Sequence, residues 1–247
     1  RVVQRTADLQ RANQLKDEFM AMISHELRTP LTGVLTLSEM LAAEIAGPLN
    51  ERQASYVKSI GESGERLLAV INGILSYTHL ISGKRQIQRE RCNLAELLAN
   101  CATSQQHKAS ARQQTVEVSI ESPSLAIISD NNGLASALKQ LLENAIKFTP
   151  EGGRIGLEAY RTPATNGSEP RTVDLVVWDT GVGIMLNELD DIRKPFVQAD
   201  GSLSRQHEGI GMGLTYADQM IRLLGGTLAV ASVPGQGSRF TVTLPVE

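Results

Sequence analysis

At 247 residues the chain has room for one or two domains, and its 41% hydrophobic and 21% charged residues are those of an ordinary globular protein. A net charge of −3 offers no basic field for nucleic acid or an anionic membrane, and no stretch approaches the roughly 20 apolar residues that span a bilayer. Cys92 and Cys101 are the only cysteines, too few for a disulfide framework and poorly spaced for zinc, so a reducing compartment is the default. The chain opens on Arg1 inside a helical pattern, with no Met and no signal-peptide design, and reads as a piece of something longer.

Residues 1 to about 46 carry one long helical pattern, polar at first and amphipathic from Leu15 onward. Gly47-Pro48-Leu49-Asn50 breaks it. A second helix is predicted from Glu51 to Ile81. Its apolar positions Val57, Ile60, Gly64, Leu67, Ile71, Ile74, Thr78 and Ile81 alternate steps of three and four, a heptad seam. Two helices joined by a short loop make an antiparallel hairpin. Stripes this wide leave apolar surface on a lone hairpin, so a second copy completing a four-helix bundle is expected, giving a homodimer held by residues 20–81.

Residues 82–93 are predicted to be a polar linker. Beyond it the pattern mixes helix and strand: a helix from Leu94 to about Arg112, strands over Thr115–Ile120 and Leu125–Ser129, then a helix over Asp130–Phe148 with Leu134, Leu138, Leu141, Leu142 and Ala145 on one face. Strands at Gly153–Arg161 and Thr172–Trp178 flank a loop rich in Pro, Asn, Gly and Ser. A helix over Met212–Leu224 and a closing hairpin of Thr227–Val233 and Arg239–Leu244 complete the order. This predicts a two-layer α/β sandwich with a mixed sheet.

Several residues stand out chemically. His25 falls on the side of the first helix opposite Met20, Ile23, Leu27, Leu31 and Val34, so it does not fill a core; Glu26 follows it and Thr29 lies one turn on. His-Glu-x-x-Thr lacks the second histidine of a metalloprotease helix. Asp179-Thr180-Gly181-Val182-Gly183-Ile184 follows an apolar strand, and is either a plain turn or a close backbone approach to a planar ligand beside a carboxylate acceptor. Gly209-Ile210-Gly211-Met212-Gly213-Leu214 opens a helix, where bare N–H groups suit an anion. No strand precedes it, so a dinucleotide fold is excluded, and no Walker-type loop is present. Asn144 and Lys147, three apart on one helix face, could hold a hydrated Mg²⁺ and a phosphate.

In this order the pieces are far more specific than any one alone. The whole chain resembles the catalytic core of a two-component sensor histidine kinase. Ser24-His25-Glu26-Leu27-Arg28-Thr29-Pro30-Leu31 matches the H-box, Gln140 through Pro150 the N-box, Asp179–Ile184 the G1 box, Lys194-Pro195-Phe196-Val197-Gln198 the F-box and Gly209–Leu214 the G2 box. Residues 1–19 look like a signalling coiled-coil helix, 20–81 like a dimerisation and histidine-phosphotransfer hairpin, and 94–247 like the ATP-binding domain of the GHKL (Bergerat) type shared with gyrase, heat-shock-90 and MutL-type ATPases.

The resemblance implies an ATP- and Mg²⁺-dependent autokinase. His25 would be the phosphate acceptor, Glu26 its base or orienting acceptor, and Thr29 the position used in dephosphorylating a receiver domain. Asp179 would take the adenine amino group, Asn144 would ligate Mg²⁺ and Lys147 would contact phosphate. Phe148, Gly181 and Gly183 would close on the nucleotide, while Gly209, Gly211, Gly213 and Leu214 would line the triphosphate, with Arg205 on the γ-phosphate. A response-regulator receiver would be the partner and an upstream sensor domain the input. Nucleic acid plays no part, and the location would be cytoplasmic, any membrane attachment lying upstream. The chain departs from the pattern at Gln140 (commonly Asn), Arg193 (commonly Phe) and Glu208 (commonly Gly). A dimeric scaffold that binds nucleotide with little or no turnover is the alternative.

Overall fold

The computed structural model describes residues 22–24, 26–81, 85–162, 172–194, 197 and 211–246, in two compact units that divide between Arg85 and Gln86. Among the described residues no helix is long and apolar enough to cross a membrane.

The first unit is a pair of helices. Residues 22–24 and 26–42 are helical (α1), and α2 spans Glu51–Ile81. The first helix stops about four residues earlier than its pattern, because the chain turns through Glu44 (φ 57°) before reaching Gly47 (φ 117°). A capping box starts α2: Gln53 N–H donates to Asn50 Oδ1 and Asn50 N–H to Gln53 Oε1, both at 2.9 Å. The helices meet antiparallel, with Ser38 Oγ donating to Val57 O at 2.8 Å near the loop and Arg28 Nη2 to Asn72 Oδ1 at 2.8 Å further along. Gly64 makes the close approach possible; a β-carbon there would lie 2.8 Å from Leu35 Cδ2.

The seam divides. Val57, Ile71 and Thr78 are buried within one hairpin, whereas Ile60 and Leu67 remain 49% and 48% exposed. On α1, Leu31 is buried, but Leu27 and Val34 of the same stripe are exposed. Leu31, Val34, Ile60, Gly64 and Leu67 line an open apolar groove.

The second unit is built on a five-stranded mixed sheet. Its strands are β2 (Thr115–Ile120), β4 (Arg154–Arg161), β5 (Thr172–Asp179), β6 (Thr227–Val233) and β7 (Gly237–Pro245), in the order β2-β4-β5-β7-β6. Only β2 and β4 run parallel, with Thr115 opposite Arg154; the other three pairs are antiparallel. Three helices, α3 (Leu94–Ser110), α4 (Asn131–Phe148) and α5 (Gly213–Leu223), pack on β2, β5 and β6 respectively.

Leu134, Leu138, Leu141 and Leu142 of α4 are fully buried, as are Ile155, Leu157, Leu175 and Val177 on β4 and β5. Each contributes about 1.5–3 kcal/mol of burial free energy. Asp130 caps α4 by accepting Gly133 N–H at 2.7 Å, and Asn93 caps α3 by accepting Ala95 N–H at 2.9 Å. The last residues of the expected linker are instead a strand: β1 (Glu90–Asn93) pairs antiparallel with β3 (Ala126–Ser129), placing Cys92 opposite Ile127. Of Glu-Arg-Cys-Asn only Cys92 is buried, so four residues carried no alternation to read. The loop between β4 and β5 lies mostly outside the described residues.

Candidate functional site

The helix α4 supplies one wall. Gln140, Asn144 and Lys147, at intervals of four and three, share the face beside its apolar stripe, each partly buried. Its C-terminal carbonyls, which have no partner within the helix, are held from outside. Arg112 Nη1 donates to Ile146 O at 2.9 Å and Lys147 O at 3.0 Å, and Gln114 Nε2 donates to Ile146 O at 3.0 Å and Thr149 O at 2.6 Å. The guanidinium also sits at the negative end of the helix dipole. Neither Arg112 nor Gln114 was expected from the sequence; a polar pair between a helix and a strand has no periodicity to mark it.

The end of β5 supplies the floor. Asp179 is 7% exposed. Burial pushes its carboxyl above the usual range, while backbone hydrogen bonds from Gly181, at 2.8 Å, and Ser238 oppose that rise. The turn that follows is pinned on both sides. Val182 N–H donates to Phe148 O at 3.2 Å and Gly235 N–H to Val182 O at 2.8 Å; Ile184 N–H donates to Ser232 Oγ at 2.8 Å. This loop therefore runs between the end of α4 and the β6–β7 hairpin. A β-carbon on Gly181 would lie 2.5 Å from Phe148 O and 2.6 Å from Asp179 Oδ1, and one on Gly183 (φ 68°) 2.1 Å from Val233 O.

The start of α5 supplies the third element. Met212 occupies the cap position without a side-chain hydrogen bond, and Gly211 turns with φ 69°. Met212 thus gives no side-chain cap, and the leading N–H groups of α5 form the positive end of its dipole. Gly213 faces α4 directly: a β-carbon there would lie 2.8 Å from Gln140 Oε1 and 3.9 Å from both amide atoms of Asn144. The Leu214 side chain is buried, so only its backbone can serve an anion. A 3₁₀ turn at Asp191–Arg193 is tethered here, Thr215 Oγ1 donating to Arg193 O at 3.1 Å.

The structure therefore brings together Gln140, Asn144 and Gly213 at one corner, and Phe148, Gly181 and Asp179 at another, both on α4. Lys147 directs its ammonium over the Phe148 ring at 4.8 Å. Glu26 and Thr29 are exposed on α1 in the other unit. His25, Arg205 and Gly209 lie outside the described residues, as does Glu208. Among the described residues no group of three or more His, Cys, Asp or Glu gathers as a metal cage.

Comparison with known proteins gives concordant matches. Residues 15–83 match the His Kinase A (phospho-acceptor) domain and residues 129–247 the histidine kinase-, DNA gyrase B-, and HSP90-like ATPase family. The circadian input-output histidine kinase CikA of Synechococcus elongatus is 37% identical over 99% of this chain and 33% of its own length. The autoinducer 2 sensor kinase/phosphatase LuxQ of Vibrio cholerae is 38% identical over 95% of this chain and 27% of its own. The chain thus spans about a third or less of these relatives. Among solved structures, full-length ShkA in complex with AMPPNP is similar with a TM-score of 0.73 and 31% identity, over 92% of this chain and 45% of that one.

Proposed function

The chain belongs to the sensor histidine kinases, with the two modules of their catalytic core in order, and on that premise we propose that it is an ATP-dependent protein-histidine autokinase whose acceptor is His25. The observation that carries the nucleotide half is the convergence of Asp179, the Val182 turn and the N-terminal end of α5 on one helix, α4.

The residues fit a nucleotide. Gly181 and Gly213 each bring their backbone against α4, so close that a β-carbon would strike Phe148 O or Gln140 Oε1, and so hold both loops at one helix face. Asp179, held by two backbone N–H groups, is positioned to accept the exocyclic amine of adenine, and its ionised form is needed as a pure acceptor. Phe148 and the Gly181–Gly183 turn would close on the base. The N–H groups of Gly211, Gly213 and Leu214, with Gly209, would line the triphosphate. Lys147 would contact phosphate, Arg205 the γ-phosphate, and Asn144 would offer an amide oxygen to Mg²⁺. When bound, the cation neutralises phosphate charge and draws electron density from the leaving oxygen.

His25 acts as a neutral nucleophile. One imidazole nitrogen forms a bond to the γ-phosphorus as the bond to the β,γ-bridging oxygen breaks, and that electron pair leaves on ADP. The proton on the other nitrogen is released, with Glu26 as the adjacent acceptor. The product is a phosphoramidate, suited to hand its phosphoryl group to an aspartate of a response-regulator receiver. Thr29 would serve the reverse task of positioning water on that phosphoaspartate. Homodimerisation through residues 20–81 is supported by the groove of Leu31, Val34, Ile60, Gly64 and Leu67, left open by one hairpin.

The test is incubation with γ-labelled ATP and Mg²⁺. Acid-labile, alkali-stable label that disappears in His25→Gln is the expected result. Nucleotide binding without label would overturn the kinase reading in favour of a dimeric scaffold. Release of phosphate from a phosphorylated receiver, lost in Thr29→Ala, would establish the reverse activity.

A further inference from the structure

One chain of contacts reaches the nucleotide corner from a helix that carries none of the sequence boxes. Lys108, near the end of α3, places Nζ 2.8 Å from Glu143 Oε1 on α4. The other carboxylate oxygen, Glu143 Oε2, accepts Gln140 Nε2 at 3.4 Å. A side-chain amide has two unlike ends. With its nitrogen turned to a carboxylate, the Gln140 carbonyl oxygen must point the other way, and it points at Gly213, beside the amide of Asn144. Reversing the amide would set its oxygen against the carboxylate, which repels it. The orientation of Gln140 is therefore imposed from α3, through Glu143.

Lys108 also bears on local charge. Glu143 directly precedes Asn144 and is only 30% exposed, so its carboxylate lies beside the corner where polyphosphate would sit. The ammonium neutralises it and holds it to one rotamer, against a rotamer-entropy term that a long, 59% exposed lysine otherwise keeps.

We propose that Lys108 is a positioning residue of the nucleotide site: through Glu143 it fixes the Gln140 amide with its oxygen at Gly213, making Gln140 a second polar contact, beside Asn144, for the metal-phosphate end of bound nucleotide. This rests on the nucleotide reading above. It also gives the departure at Gln140 a physical sense, because the longer side chain spans from the turn it occupies to the start of α5, and needs an external tie to hold its direction.

The test measures binding of a methylanthraniloyl ATP analogue to the whole chain by fluorescence, with Mg²⁺ and with a chelator, alongside a thermal melt to confirm folding. Lys108→Ala should weaken binding about three- to fivefold in Mg²⁺, the size a partly exposed charge contact can transmit, and less in chelator. Lys108→Arg should restore it. In a Gln140→Ala background the Lys108→Ala loss should shrink to within about twofold, the range expected of residues acting through one another. An equal loss with and without Gln140 would overturn the proposal, showing Lys108 to act by charge alone; so would a loss independent of Mg²⁺. A wild-type chain that binds no analogue would overturn the nucleotide reading itself, and this proposal with it.

Discussion

Gly183→Ala separates backbone preference from steric exclusion, because the same unit contains a control. Gly183 and Gly152 share nearly the same left-handed backbone, φ 68° and 75°, so alanine at either position meets the same intrinsic penalty, about 1–2 kcal/mol. Gly152 has nothing within 4 Å of a β-carbon, whereas at Gly183 that atom would lie 2.1 Å from Val233 O and 2.9 Å from Pro234 Cα. Both obstacles are backbone and cannot rotate away. Relief requires the loop and the β6–β7 hairpin to part by about 1 Å, which strains Gly235 N–H to Val182 O and Ile184 N–H to Ser232 Oγ, each 2.8 Å now and each worth about 1 kcal/mol net. The total is about 3–4 kcal/mol. In a unit of this length it should lower the melting temperature by roughly 6–16 °C, against about 2–8 °C for Gly152→Ala. Differential scanning calorimetry of both variants decides. If the two melt together, the pinned loop is not what holds this end of the sheet, and the reasoning fails.

Asp179 gives a pH signature. Because burial raises its folded pKa, the stability it lends is fully present below the unfolded carboxylate value and is lost as pH rises through the raised folded value. Nucleotide affinity should run the opposite way, falling as the carboxylate protonates. In Asp179→Asn both slopes should flatten, with affinity about tenfold lower at neutral pH from loss of a charge-assisted hydrogen bond; melts and analogue titrations across pH check this, and an unchanged affinity would remove Asp179 from the site. Gln114→Leu strips the amide donors from Thr149 O and Ile146 O and should cost about 1–3 kcal/mol in urea unfolding; a loss under about 0.5 kcal/mol would mean that Arg112 alone secures the helix end. Leu67→Glu puts a charge into the open groove of the hairpin and should convert a dimer to monomer by sedimentation equilibrium. A wild-type monomer would dismiss the four-helix bundle.

Where the sequence was legible, one physical signal repeated many times. The stripe Leu134, Leu138, Leu141, Leu142, Ala145 is buried to within 1% exposure, and α2 runs from Glu51 to Ile81, the span of its heptad seam and the break before it. The mixed sheet followed from the order of helical and strand runs along the chain. Strand β1 escaped because its burial rests on Cys92 alone and on pairing with a partner over thirty residues away. In the hairpin, periodicity marks which face is apolar and not which surface covers it, and Ile60 stands exposed beside buried Val57. At the site, glycine spacing revealed where backbone had to come close. The supports of α4, namely Arg112, Gln114 and Lys108, are long polar side chains reaching across from another element, and no local pattern records a reach.

The parallel pairing of β2 with β4 bears on how the chain acquires its structure. Thr115 and Arg154 are neighbours across the sheet although a strand and the whole of α4 intervene, so that ladder closes only after a long loop has been organised, a slow event by its loop entropy. The α1–α2 contacts nearest the connection span shorter loops, Ser38 meeting Val57 only 19 residues on, and they emerge earlier during synthesis. A ribosome-bound chain could therefore present a finished hairpin, open groove included, while its second unit is still a collapsed intermediate. Association between nascent chains would then precede nucleotide binding, and pulse-labelled hydrogen exchange during refolding should show α2 protected before β4.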